Sequence, residues 1–183
     1  MNVREAAYDA YGAGLCVVPP REDGSKAPSG NKWKHWQNER PSKTQLEVWY
    51  GTGVRQGLGV ICGNVSGDLE CLEFEDQETY HAYHELAEAA GLRELLDRVE
   101  AGYSEATPGD GVHLLYRCEG TGGNTKLARR PKRPEEMTGQ DDKIKTLIET
   151  RGEGGFVITA PSFGNVHPSK NPTGCCAAAS TPS

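Results

Sequence analysis

The stretch Asp68-Leu69-Glu70-Cys71-Leu72-Glu73-Phe74-Glu75-Asp76 is typical of a buried strand that ends in acidic residues. Glycine and serine residues precede it, and a helical pattern follows it. Side chains on an extended strand alternate between the two faces. Glu73 and Glu75 are therefore expected on one face, with Phe74 on the other. The sequence thus predicts two carboxylates side by side at the end of a core strand.

Two carboxylates on one face repel each other unless a cation lies between them. The hard cations that such oxygen ligands suit best are Mg²⁺ and Mn²⁺. The alternative is an acidic strand end that solvent wets, because charged residues are usually exposed. The pair alone does not choose between a metal site and a solvated strand end, but two later segments favour the metal site.

Length and composition indicate one globular domain. The chain has 183 residues, of which 36% are hydrophobic and 25% charged, which is enough for a real core. No apolar run approaches the roughly 20 residues that span a bilayer, and the N-terminus does not resemble a signal peptide. We therefore expect a cytoplasmic protein with no membrane partner. The net charge of −6 argues against a surface coated for nucleic acid but permits a local basic groove.

The cysteines indicate neither a zinc site nor a disulfide framework. Three of them lie within apolar, strand-like runs, and none forms a C-x-x-C pair. We interpret them as reduced packing residues and predict no zinc. The six are Cys16, Cys62, Cys71, Cys118, Cys175 and Cys176.

A tryptophan-containing loop and a glycine-flanked strand precede the acidic strand. Residues 21–41 form a polar loop in which Trp33 and Trp36 either anchor the loop to the body of the protein or stack on bases. The apolar run 57–63 predicts a strand. Because only residues 64–67 separate it from the acidic strand, we expect the two strands to form an antiparallel pair.

A glycine turn leads into a short strand that begins with a histidine. Residues 108–111 read Pro-Gly-Asp-Gly, and the strand Val112 to Tyr116 follows, with His113 near its start. A lone strand histidine is usually a satisfied structural residue. Here it follows a tight turn, where backbone N–H groups and an imidazole can contact a phosphate together.

Basic residues concentrate in the segment 120–143, which we predict to be a loop interrupted by prolines. One interpretation is a solvated, mobile loop, and the other is a contact to nucleic-acid phosphates. The sequence leaves both open. The basic residues are Lys126, Arg129, Arg130, Lys132 and Arg133.

The C-terminal part predicts two more strands and a third carboxylate. Ile144 to Ile148 mark a strand that carries Glu149, and a glycine turn after Arg151 leads into the strand 156–160. If Glu149 lies near Glu73 and Glu75, the three carboxylates form a metal site.

Taken in order, these segments resemble the bifunctional DNA primase/polymerase domain of the archaeo-eukaryotic primase superfamily, which occurs on phage and plasmid replication proteins. The resemblance runs from about Ala6 to Pro168. Its motifs in this chain are Lys26…Trp36, Gly59…Gly63, Glu73-Phe74-Glu75, the run Thr107 to His113, and the run Glu149 to Ser162.

The resemblance implies an α+β domain with an RRM-like half, built of mixed or antiparallel sheets flanked by helices. It implies a template-directed nucleotidyltransferase in which Glu73, Glu75 and Glu149 hold two Mg²⁺ or Mn²⁺ ions. The incoming NTP or dNTP is expected to contact His113, with help from Thr107, Gly111, Arg151 and Lys126. Template and primer DNA are expected at Arg129, Arg130, Lys132 and Arg133, and a replicative helicase is the implied partner.

Two rival functions stay open at this point. The three acids are all Glu where the family most often has Asp, which suits a degenerate module that binds nucleotide or DNA without polymerising. The same carboxylates could also serve a metal-dependent nuclease or phosphoesterase, although the glycine-turn histidine and the run after Arg151 argue against it.

Residues 1–168 are expected to form the domain, with 169–183 as an irregular tail. The tail departs from the usual family ending. Codon degeneracy lets Lys170 to Thr181 be written as DNA whose other reading frame encodes that ending. We therefore predict a frameshifted tail that is disordered from residue 170 onward.

Overall fold

The computed structural model describes residues 1–175, which form helices and strands in the α+β arrangement expected. The helices are α1 Val3–Gly12, α2 Lys43–Tyr50, α3 Gln77–Ala89 and α4 Arg93–Glu100. The strands are β1 Cys16–Val17, β2 Leu58–Ile61, β3 Leu69–Phe74, β4 Tyr103–Ala106, β5 Val112–Arg117, β6 Thr125–Pro131, β7 Ile144–Arg151, β8 Phe156–Thr159 and β9 Gly174–Cys175. Across residues 1–175, none of the helices has the length and apolar character needed to cross a membrane.

The strands form two antiparallel sheets. The larger has the order β6-β7-β3-β5-β4-β9, and the smaller has the order β1-β2-β8. The acidic strand β3 is therefore a central strand, hydrogen-bonded on one side to β7 and on the other to β5. This confirms the prediction of a buried strand in this stretch.

The alternation of side chains along β3 assigns its two faces to different cores. Leu72 and Phe74 pack under α3 and α4, with Ala87 and Leu96 from those helices. Cys71 points the other way and packs against Val60 and Val157 of the smaller sheet. Because Glu73 has the same parity as Cys71, it lies on the face that looks toward the smaller sheet.

The predicted antiparallel pairing of β2 with β3 is wrong. Both edges of β2 are taken, one by β1 and the other by β8, so β3 joins the other sheet. A short 3-10 turn, Asn64–Ser66, redirects the chain between them, and only an isolated bridge links Gly63 to Leu69. Ser66 fixes this turn, since its Oγ accepts from the backbone N–H of Cys16 at 2.8 Å.

The tryptophan loop is anchored to the outer face of the smaller sheet. Trp33 and Trp36 pack against a buried cluster of Cys16, Val18 and Ile61. This confirms the anchoring role predicted for these tryptophans. The buried cysteines Cys16, Cys62 and Cys71 serve as packing residues, as predicted.

The prediction of a loop for the basic segment is wrong for Thr125–Pro131, which forms the edge strand β6. It pairs along most of its length with β7, with a register shift around residue 127. Edge strands often carry lysine or arginine, which discourages pairing with other chains. The basic residues of this range and Pro131, which predicted a loop, instead belong to a strand at the edge of the sheet.

The tail is ordered over the part that the structure describes. Asn171 and Ser169 donate side-chain hydrogen bonds to the Pro108 carbonyl, and the backbone N–H of Thr173 donates to Ser162. Strand β9 then adds to β4. The prediction of disorder is therefore wrong for residues 170–175, and its remainder, 176–183, lies outside the described residues. The frameshifted origin of the tail stays a prediction.

Candidate active site

A single row of charged residues crosses five strands of the larger sheet. The strand register places Lys126 opposite Glu149, Glu149 opposite Glu73, Glu73 opposite His113, and His113 opposite Glu105. Directly opposed residues on antiparallel strands project their side chains to the same face and interact. Five sequence segments, spread from residue 73 to residue 149, thus contribute neighbouring side chains to one line of charge.

The row borders a cavity of about 410 Å³ between the two sheets. This volume lies within the range of roughly 300–1,000 Å³ that is typical of small-molecule sites. Of the predicted site residues, Glu73, Glu75, Thr107, His113 and Arg151 line the cavity. The other lining residues are Lys26, Phe74, Pro108, Gly109, Phe156, Val157, Ile158, His167 and Thr173.

Arg151 lies between Glu73 and Glu149. Its Nε donates to Oε2 of Glu73 at 3.0 Å, and its Nη2 donates to Oε1 of Glu149. Burial acts to raise the pKa of Glu73, but His113 and Arg151 outweigh it and lower this pKa to about 2. Burial raises the pKa of Glu149, with Arg151 opposing the change. The two carboxylates share one guanidinium, and Glu73 is the more firmly ionised of the two.

His113 is buried between two carboxylates. Its Nδ1 lies 2.8 Å from Oε1 of Glu105, and its Nε2 lies 3.9 Å from Oε1 of Glu73, which is too long for a direct hydrogen bond. Burial acts to lower the pKa of His113, but Glu105 and Glu73 raise it to about 9. The imidazole is therefore protonated at neutral pH, with Nε2–H directed toward the acidic side of the cavity.

Glu105 is the member of the row that the sequence analysis missed. Its carboxylate is fully buried and accepts three hydrogen bonds, from His113, from the Tyr103 hydroxyl at 2.9 Å and from the Ala160 N–H at 2.7 Å. A carboxylate can only accept, so it fixes the proton on Nδ1 of His113. The glycine turn at residues 108–111 was the signal that could have found Glu105. A hairpin closed between residues 107 and 111 places residue 105 opposite residue 113.

The hairpin turn Thr107–Gly111 seats His113 beside β3. The Thr107 N–H donates to the Gly111 carbonyl, and the Gly111 N–H donates to Oγ1 of Thr107 at 3.0 Å. A Cβ added at Gly111 would lie 2.2 Å from the carbonyl oxygen of Phe74. Any side chain at position 111 would therefore push the turn off the end of β3.

The carboxylates fit a divalent cation in chemistry, and one of them is paired with a lysine. Glu73 and Glu149 offer hard oxygen atoms of the type that Mg²⁺ and Mn²⁺ prefer. Glu75, which follows β3, instead lies 3.4 Å from the Nζ of Lys145. Within residues 1–175, no group of three acidic, histidine or cysteine side chains converges as a metal site would require. Binding of an ion by Glu73 and Glu149 requires Arg151 to move from between them.

The remaining predicted residues lie outside the cavity. Lys126 is exposed beside Glu149 and does not line the cavity. Arg130 forms a two-pronged ion pair with Glu136, both N–O distances being 2.6 Å, and Lys132 pairs with Asp142. The side chains of Arg129 and Arg133 are exposed, and no partner for either is found among residues 1–175.

Comparison with known proteins identifies the family of the chain. The sequence matches the family described as bifunctional DNA primase/polymerase, N-terminal, over residues 7–179. That range includes every member of the charged row and every residue that lines the cavity. A search of curated proteins gave no match. The chain therefore belongs to the family of bifunctional DNA primase/polymerase N-terminal domains.

Proposed function

We propose that this domain is a template-directed nucleotidyltransferase that extends or initiates nucleic-acid strands on a DNA template. The observation that carries the proposal is the row Glu149–Glu73–His113, in which Glu73 and the imidazolium of His113 line a cavity and Glu149 lies beside Glu73 on the neighbouring strand. By family resemblance, we place this activity in the replication of phage or plasmid DNA in the cytoplasm, beside a replicative helicase.

In this proposal Glu73 and Glu149 hold divalent cations, and Glu75 joins them on leaving Lys145. Mg²⁺ or Mn²⁺, when bound, would supply the charge that activates a 3′-hydroxyl and stabilises departing pyrophosphate. The protein's own part is to hold two carboxylates side by side on one face of a packed sheet. The low pKa of Glu73, about 2, keeps it ready to bind a cation at neutral pH.

His113 is proposed to contact the triphosphate of the incoming nucleotide. Glu105 holds Nδ1–H, so Nε2–H is the atom available to donate to a phosphate oxygen. Thr107 and Gly111 position the histidine through their turn. Arg151, once displaced from Glu73 and Glu149, adds a second positive charge at the cavity wall. Such groups act by position and charge, and no proton need leave the protein.

The template and primer are proposed to contact the basic edge strand β6 and the turn that follows it. Arg129 and Arg133 are the most available contacts, because they are exposed and have no partner among the described residues. Arg130 and Lys132 contribute less, because Glu136 and Asp142 already compensate for their charge.

Primer extension tests the proposal. Wild type is incubated with a primed single-stranded template, dNTPs or NTPs, and Mg²⁺ or Mn²⁺, beside the double variant Glu73→Gln/Glu149→Gln. We expect extension by the wild type alone. Extension by both proteins would show that other carboxylates do the chemistry, and shortening of the primer would indicate a nuclease instead.

A module that binds nucleotide or DNA without polymerising is the second candidate. Arg151 favours it, since a guanidinium that bridges Glu73 and Glu149 replaces the charge of a metal ion. This candidate predicts that the wild type binds nucleotide but does not extend the primer with either Mg²⁺ or Mn²⁺.

A further inference from the structure

The cavity has a second polar region that the carboxylate row does not use. Three side chains from separate segments line it: Lys26 from the tryptophan loop, His167 from the segment after β8, and Thr173 just before β9. We propose that these residues form a subsite for the terminal phosphates of a nucleoside triphosphate. This inference rests on the proposed function, and deepens it by naming how the tail of the substrate is held.

The hairpin turn separates this region from the acidic one. At one end of the turn, Gly111 approaches the backbone of Phe74 and Glu75. At the middle of the turn, the position that a Cβ of Gly109 would take lies 4.0 Å from Cε1 of His167. A triphosphate that follows the turn away from Glu73 therefore reaches His167.

His167 presents a hydrogen-bond donor to the cavity. Its Nδ1 lies 2.8 Å from Oγ of Ser169 and accepts from the backbone N–H of Ser169 at 3.1 Å, so in the neutral imidazole the proton is on Nε2. Burial, then the charge of Lys26, lowers the pKa of His167, which keeps the ring neutral at pH 7. The Oγ of Ser169 also lies 3.2 Å from the carbonyl oxygen of Pro108, which places His167 close to the turn.

The buried hydroxyl of Thr173 is a separate observation that points to a bound ligand. The residue is 4% exposed, and its Oγ1 has no hydrogen-bond partner among the described residues. A buried hydroxyl without a hydrogen-bond partner is destabilising, so such groups normally have a partner. A phosphate oxygen in the cavity would accept a hydrogen bond from this hydroxyl.

Lys26 supplies the positive charge and a backbone that is unusual for a lysine. Its φ of 57° lies in the left-handed region, which residues other than glycine, asparagine and aspartate seldom adopt. Its side chain is exposed and lines the cavity, and within residues 1–175 it forms no ion pair. An ammonium held there, close enough to lower the pKa of His167, suits an anion between the two residues.

Equilibrium binding without template tests this subsite. The dissociation constants of dATP and dAMP in Mg²⁺ buffer are measured by calorimetry for wild type, Lys26→Gln, His167→Gln and Thr173→Val. We expect each substitution to weaken dATP binding by about tenfold, because each removes one hydrogen bond to a charged phosphate. Binding of dAMP should change less than about twofold, because it lacks the outer phosphates. The exposed Lys34 of the same loop gives the control Lys34→Gln, which should match wild type.

The outcomes separate this inference from the proposed function. A wild-type preference for dATP over dAMP that falls in the three variants supports the subsite, whether or not the wild type extends a primer. An unchanged preference in all three variants overturns the subsite, while primer extension by the wild type would still stand. Variants that lose affinity for an oligonucleotide and keep their preference for dATP also overturn it, because the ligand is then a DNA phosphate. Thr173→Val keeps the shape of the side chain, and thermal unfolding confirms that each variant is folded.

Discussion

The charged row and the basic edge strand use the same kinds of side chain in opposite ways. In the row, Glu105 is fully buried and His113 nearly so, and each charge faces a partner fixed by the strand register. On β6, Arg130 pairs with Glu136 at the surface, while Arg129 is exposed without a described partner. The first arrangement fixes the position of every charge, whereas the second leaves charge available to a mobile polymer.

The difference shows where a charge can be both structural and functional. Removing one partner of a buried ion pair leaves the other without compensation and is costly. Exposed ion pairs contribute little to stability, because water already solvates both groups. We therefore expect substitutions in the row to affect folding and chemistry together, and substitutions on β6 to affect DNA binding alone.

The largest effect on stability is expected from Glu105→Ala. This substitution leaves the imidazolium of His113 and the N–H of Ala160 buried without an acceptor. We expect the free energy of unfolding to fall by about 3–5 kcal/mol, measured by urea denaturation. The control is Glu135→Ala, at an exposed glutamate beside the basic edge, which should unfold like wild type. Equal losses from both substitutions would remove the distinction between the two regions.

The next effect is a pH dependence that belongs to the row. The pKa of His113 rises from 6.5 to about 9 on folding, so its contribution is complete below pH 6.5 and is lost as pH rises through 9. We expect metal-free protein to lose on the order of 1–3 kcal/mol of stability between these values. In His113→Gln this loss should be absent. An NMR titration that finds His113 with a pKa near 6.5 would contradict the account.

A smaller effect, confined to DNA binding, is expected on the basic edge. The double variant Arg129→Ala/Arg133→Ala should bind single-stranded DNA more weakly, and the salt dependence of log K should become shallower by about 1–1.5. Dinucleotide formation depends on the row and should persist at saturating template. Arg98→Ala, at an exposed arginine on α4, is the control. An unchanged salt slope in the double variant would place the DNA elsewhere.

The smallest effect is expected from Arg130→Gln. The substitution breaks the ion pair with Glu136 at the protein surface, where solvent screens both groups. Its urea denaturation midpoint should therefore lie close to that of wild type. A loss as large as that of Glu105→Ala would mean that the edge is as structural as the row.

Much of the site was readable from the sequence because its residues lie in short, regular elements. The alternation of side chains in the acidic strand predicted that Glu73 and Phe74 lie on opposite faces of the sheet. The glycine turn predicted that His113 lies near the start of a strand. Motif resemblance then linked Glu149 to both. These inferences depend on local geometry, which a few residues determine.

The errors arose where distant contacts decide the structure. The pairing of β2 depends on β8, almost a hundred residues further along, so the short link to β3 was misleading. The bridging of Glu73 and Glu149 by Arg151 follows from three-dimensional register, which no sequence pattern displays. The order of residues 170–175 depends on a free edge of β4 and the Pro108 carbonyl.

One pair of glutamates on the same strand tests the central claim most directly. Glu73 and Glu70 both lie on β3, but Glu73 lines the cavity, whereas Glu70 accepts from the Tyr116 hydroxyl at 2.6 Å. The measurement is the initial rate of dNTP incorporation by Glu73→Gln and Glu70→Gln beside wild type. The account predicts a loss of about 100-fold or more for Glu73→Gln and less than about threefold for Glu70→Gln. Equal rates for the two variants would contradict it.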